Sequence, residues 1–191
     1  MPPVTLEEFD DDTCLIYGIG NVGRQDDGLG WAFVDWLEAQ GRCPNAQLQR
    51  SYQLLLEDAD LISTKRRVLF IDATKDEAVT SFTLARPAPK MDFSFTSHAI
   101  SIPAIMATCQ QCFDRLPEVH VLAIRGFAFE LEMGLTPAAQ RNLDDATAYL
   151  RSGEHRLRPA TSVRRCSATL PVSIYGLVGH ESVGHESEEF E

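Results

Sequence analysis

The sequence lacks most of what would direct a chain to a membrane, a nucleic acid or an oxidising compartment. No apolar run approaches the roughly 20 residues that a membrane-spanning helix needs. The opening residues, MPPVTLEEFDDD, are acidic and hold no apolar segment of the kind a signal peptide carries. Positive charge is scarce, with 17 Lys and Arg against 28 Asp and Glu and a net charge of -11. Binding a phosphate backbone takes clustered cations, so this balance argues against nucleic acid as the main partner. It argues equally against an anionic membrane surface. The cysteines number five, at irregular spacing. An odd count gives no disulfide framework, and reduced thiols fit a cytoplasmic setting. Neither a G-x-S-x-G elbow nor an H-E-x-x-H helix occurs, so serine-hydrolase and zincin readings have no support.

What the chain does have is an apolar fraction of 44% over 191 residues, enough for one domain with a sizeable core. Three short apolar runs read as buried strands: TCLIYGI at 13–19, RVLFID at 67–72 and EVHVLAIR at 118–125. Helical spacing follows at 29–40, 54–63, 100–113 and 136–150, with Pro103 tolerated in a first turn. In the last of these Thr136 is placed as N-cap and Pro137 at the first helical position. Residues 46–52 suit a further strand and 80–85 an edge strand. The alternation predicts an α/β fold in three layers, a mostly parallel sheet flanked by helices on both faces. The pattern decays past about Ser152. We therefore expect one α/β domain over 1–153 and an irregular, mobile tail over 154–191, which carries GHES twice.

Chemistry concentrates where the first strand meets the first helix, in GIGNVGRQDDGLG at 18–30. Ligands in open α/β sheets bind outside the carboxyl ends of the strands. GIGNVG fits a dinucleotide fingerprint, but Asp26 and Asp27 follow it and would repel a pyrophosphate at that helix start. Those two carboxylates read either as helix caps or as one cap plus a surplus acid. Asp72, placed at the end of the RVLFID strand, reads either as a loop cap or as a partner to Asp27 across the same sheet edge. His98 precedes a helix. A lone histidine there is ordinarily a surface or capping residue, but an imidazole beside two convergent carboxylates would suit a divalent transition metal. Cys109 and Cys112 form a C-x-x-C late in a helix, the wrong place for a redox pair, and read as structural or incidental thiols.

The G-I-G-N-x-x-x-x-D-D-G-x-G segment after a strand resembles the hydrogenase maturation proteases, which trim the C-terminal extension from the large-subunit precursor of NiFe hydrogenases. Phe70-Ile71-Asp72-Ala73, Thr96-Ser97-His98 and Gly134-Leu135-Thr136-Pro137 are similar to three further stretches of that family, in the right order between about residues 13 and 151. The resemblance implies an endopeptidase whose metal-reading and catalytic residues are Asp27, Asp72 and His98. It implies nickel carried by the substrate precursor, no organic cofactor, and the hydrogenase large-subunit precursor as partner. The nickel would be the recognition element. It could polarise the scissile carbonyl or activate water, or one of the acids could act as general base. Family members often carry Glu where Asp27 stands, and Tyr52-Gln53-Leu54-Leu55 replaces a stretch that is glycine-rich in many of them.

Two other functions fit parts of the pattern. A non-proteolytic nickel-binding maturation factor would use the same acid–acid–histidine set. A peptidyl-tRNA hydrolase shares the opening strand and glycine-asparagine loop, but needs a histidine soon after it and a basic face. The default oligomeric state is monomer.

Overall fold

The structure is a computed structural model that describes residues 4–91 and 100–152. His98 and the 154–191 tail lie outside these residues.

Five strands form one sheet in the order β2-β1-β3-β5-β4. They are β1 (Cys14–Ile19), β2 (Gln47–Ser51), β3 (Arg67–Thr74), β4 (Phe82–Ala85) and β5 (Glu118–Arg125). The first, second, third and fifth run parallel, and β4 pairs antiparallel to β5 as an edge. Among the described residues four α-helices cover it: α1 (Leu29–Ala39), α2 (Asp58–Ser63), α3 (Ile102–Phe113) and α4 (Pro137–Ser152).

The three-layer arrangement follows from strands that are apolar on both faces. Every residue of β1 is buried. Because side chains alternate along a strand, Cys14 and Ile16 face one layer while Leu15, Tyr17 and Ile19 face the other. Leu69 and Ile71 of β3 and Leu122 and Ile124 of β5 join the first set, packed with Leu29, Phe33 and Leu37 of α1 and with Ala139, Leu143 and Leu150 of α4. Val68 and Phe70 join the second, packed with Ile62 of α2 and with Ile105 and Cys109 of α3. Each helix presents its apolar residues at three- and four-residue spacing, which puts them on one stripe.

The caps follow local chemistry. Ser101 accepts a bond from Ala104 N at 3.2 Å at the start of α3, whose Pro103 sits in the first turn. Thr136 does the same for α4, accepting from Ala139 N at 3.2 Å. The carboxyl-terminal ends of α1 and α3 are closed by Gly41 and Asp114 in left-handed conformations, a cap that glycine takes without steric cost and aspartate tolerates.

The strand order locates the site. The chain leaves β1 toward β2 through α1 on one face, then returns past β1 to β3 through α2 on the other. This reversal opens a crevice between the carboxyl ends of β1 and β3, the position where open α/β sheets bind ligands. Among the described residues no helix is long and apolar enough to cross a membrane.

Candidate active site

The loop leaving β1 is shaped by backbone contact. Gly20 has φ +131, and a Cβ there would lie 1.8 Å from Asp27 O, so only glycine fits. Gly18 and Gly30 face one another across the same junction. A Cβ on Gly18 would meet Gly30 O at 2.3 Å, and one on Gly30 would meet Ile19 O at 2.2 Å. These glycines let α1 rest directly on the ends of β1 and β3. The G-x-G pattern thus serves helix-to-sheet contact, and Asp27 stands where a pyrophosphate would need positive potential.

The two adjacent acids have different roles, and neither caps α1, whose N-cap is Gly28. Both lie in a 3-10 turn at Gln25–Gly28. Asp26 is wholly buried. Its Oδ2 accepts from Phe127 N at 2.7 Å, Ala128 N at 3.0 Å and Thr136 Oγ1 at 2.9 Å, and its Oδ1 from Thr136 N at 2.7 Å. Three backbone donors and a hydroxyl therefore converge on one carboxylate, an arrangement that offsets the desolvation of its charge. Asp26 fixes the 126–136 loop, and through Thr136 it sets the start of α4.

Asp27 points the other way. Its Oδ2 accepts from Asn21 N at 3.0 Å, and it lines a cavity of about 350 Å³. Asp72 lines the same cavity, so the two acids that the sequence singled out come together. Asp72 does not end its strand. β3 runs two residues further to Thr74, because Ala73 and Thr74 still pair with Ile124 and Arg125 of the equally long β5. Asp72 Oδ1 accepts from Ala73 N at 2.8 Å. Burial, with the charge of Asp27 adding to it, outweighs that bond and pushes the Asp72 carboxyl up to about 7. Near neutral pH Asp72 therefore keeps its proton in part of the molecules.

The remaining lining residues are Ile19, Gly20, Asn21, Arg24, Tyr52, Gln53, Ala73, Lys75 and Phe129. Arg24 and Lys75 were not singled out from sequence. Each lies three residues from an acid of the site, and that spacing on a shared sheet edge was the available signal. Among the described residues no group of three or more His, Cys, Asp or Glu side chains could hold a metal ion, and the third expected member, His98, lies outside them. Cys109 is buried in α3, its Sγ donating to Ala59 O at 3.4 Å, and burial pushes its thiol up to about 11. It is a packed residue. His120 lies buried within β5, at the opposite end of the sheet from the cavity.

No family model matches the sequence, and no curated protein matches it. Solved structures do match by fold. The hydrogenase maturating endopeptidase HybD of E. coli superposes with a TM-score of 0.55 at 16% identity, over 72% of this chain and 88% of that one. The NiFe hydrogenase maturation protease HycI of Thermococcus kodakarensis KOD1 gives 0.57 at 15%, over 72% and 88%. HybD of the same genus and species gives 0.54 at 19%, over 71% and 94%. The chain has the α/β fold of the hydrogenase maturation proteases.

Proposed function

We propose that the protein is an endopeptidase that removes the C-terminal extension of a nickel-loaded NiFe-hydrogenase large-subunit precursor. One observation carries this reading. Asp27 and Asp72, from separate elements, converge in one open cavity at the switch point of the sheet, and neither forms an ion pair among the described residues. Structures with this fold that are named as maturation endopeptidases support it, as does the order of the sequence motifs.

The chemistry follows from the charge of the pair. Without substrate the site holds two acids, and burial keeps a proton on Asp72 in part of the molecules near neutrality. A divalent cation delivered by the substrate would displace that proton and be gripped by both carboxylates. The nickel is thus substrate cargo that positions the scissile peptide, and His98 is the proposed third ligand. The bound cation would polarise the neighbouring carbonyl or its water. A precursor without nickel leaves the acids repelling one another and gains none of this binding. The four described cysteines are all free, which supports the cytoplasm as the setting, and a monomer suffices because both acids come from one chain.

The decisive test mixes the full chain with nickel-loaded precursor and follows its mass. Loss of a short C-terminal peptide is expected, with at least a hundredfold slower loss for Asp27→Ala. Asp27→Ala and His98→Ala processing precursor at the wild-type rate would overturn the assignment. Nickel binding without shortening of any precursor would favour the non-proteolytic maturation factor instead.

A further inference from the structure

The cavity is not uniformly acidic. Arg24 and Lys75 line it together with Phe129, and both are held to that residue. Lys75 Nζ stands 4.3 Å from the centre of the Phe129 ring. Arg24 Nη2 donates to the Phe129 carbonyl oxygen at 3.4 Å. A cation over an aromatic face is held in place while its N–H groups stay available. Phe129 in turn belongs to the loop that Asp26 anchors, which gives this wall a fixed base.

These cations have no carboxylate within ion-pair distance among the described residues, although two carboxylates line the same cavity. Arg50, Arg66, Arg67 and Arg86 pair with Asp or Glu, and what sets Arg24 and Lys75 apart from the other unpaired cations is that they line this cavity. In a protein of net charge -11, two cations in the candidate active site place positive charge beside its two acids. Positive charge on a cavity wall draws an anion that the acidic surface elsewhere repels.

We propose that Arg24 and Lys75, braced by Phe129, form an anion-binding wall that takes a carboxylate of the peptide segment released by cleavage. This rests on the endopeptidase reading. With nickel held at Asp27 and Asp72, the chain beyond the scissile bond is led across the rest of the cavity lining, where Arg24 and Lys75 are the positive charges among the described residues. The carboxylate comes from an acidic side chain of the extension or from its C-terminus. Either source gives charge-assisted hydrogen bonds to the guanidinium and ammonium groups.

The test uses the full chain with nickel-loaded precursor. Lys75→Met and Arg24→Met should each raise KM roughly tenfold while kcat changes less than twofold, since the wall binds substrate and touches no reacting atom. Precursor whose extension has Gln and Asn for Glu and Asp, and precursor ending in a C-terminal amide, distinguish the two sources. The change that reproduces the KM increase, and adds nothing further in the Lys75→Met background, identifies the carboxylate. Lys75→Glu should be rescued by Lys at that position of the extension. Binding of the free extension peptide, read by fluorescence anisotropy, separates this inference from the reading beneath it. Peptide binding that weakens tenfold in Lys75→Met, in a protein that cleaves no precursor, would sustain the wall and sink the endopeptidase. Cleavage with KM unmoved by both substitutions would sink the wall and leave the endopeptidase standing. Absence of both cleavage and peptide binding would overturn the two together.

Discussion

The two ends of the sheet treat charge in opposite ways. At the amino end, Arg67 opens β3 and is bonded on every side. Its Nε and Nη2 reach Glu118 Oε2 at 3.0 and 2.9 Å, and its Nη1 reaches Glu8 Oε2 at 3.0 Å and Glu8 O at 2.9 Å. Arg86 adds a second cation to Glu118 at 3.0 Å. At the carboxyl end, Asp27 and Asp72 share a cavity with Arg24 and Lys75, and none of the four forms an ion pair among the described residues. Pairing makes a charge structural, because its field is spent on its partner. Charges left unpaired around a cavity remain available to whatever enters it.

Asp26 and Asp27 repeat this contrast between neighbours in sequence. Asp26→Ala would leave Phe127 N, Ala128 N and Thr136 N without their acceptor and release the cap of α4. A loss of about 3 to 4 kcal/mol is expected in urea unfolding, with faster hydrogen exchange at the amides of 127, 128 and 136. A loss below about 1 kcal/mol would mean that the 126–136 loop is held by other contacts.

The next effect tests the unpaired end through pH. The Asp72 carboxyl titrates near 7 in the folded protein against 3.8 for the ordinary group. The folded state therefore holds a proton that the unfolded state has already lost between these values. The stability contribution is complete below pH 3.8 and is lost as pH rises to about 7, then stays level. Asp72→Asn cannot ionise, so it should match the wild type in pH dependence below about pH 3 and gain on the order of 2 kcal/mol over it by pH 8, after allowance for partial exposure. Parallel stability curves for the two proteins from pH 4 to pH 8 would show that the acid is neutralised after all.

The smallest effect is expected at the amino end. Arg67 is only 14% exposed, but Glu8 and Glu118 are 38% and 29% exposed, so solvent screens much of the network. Arg67→Met should cost about 1 kcal/mol, less at high salt, and leave precursor processing untouched. Slowed processing in this variant would deny the division of labour between the two ends.

Much of this architecture was legible in the chain. The runs at β1, β3 and β5 are apolar on both faces, and that property alone demands a layer of helices on each side. Asp27 and Asp72 could be paired because the carboxyl ends of neighbouring parallel strands lie together. The sorting of Asp26 from Asp27 was not legible. Its cause is a set of donors at residues 127–136, a hundred positions away, and no local pattern encodes that contact. The length of β3 was missed for a related reason. Ala73 and Thr74 stay in the strand because β5 offers them partners, whereas the apolar run stops at the carboxylate. Arg24 and Lys75 have no local signal because isolated cations on loops are ordinary, and only the fold brings both to one cavity. Between the fold and the acids, what could be read was whatever depends on periodicity. What could not was whatever depends on distant loops.

The contact between Gly18 and Gly30 has a bearing on how such a protein tolerates change over time. Because α1 meets the sheet there backbone to backbone, the starting point of the helix is set by main-chain atoms that every sequence shares. Apolar side chains deeper in the molecule can be exchanged for others of similar bulk without sliding that seam. The spacing of Asp27 from Asp72 is thereby uncoupled from the composition of the core. A lineage could replace nearly all of its interior and keep the same gap between two acids, provided two small residues stayed where they are.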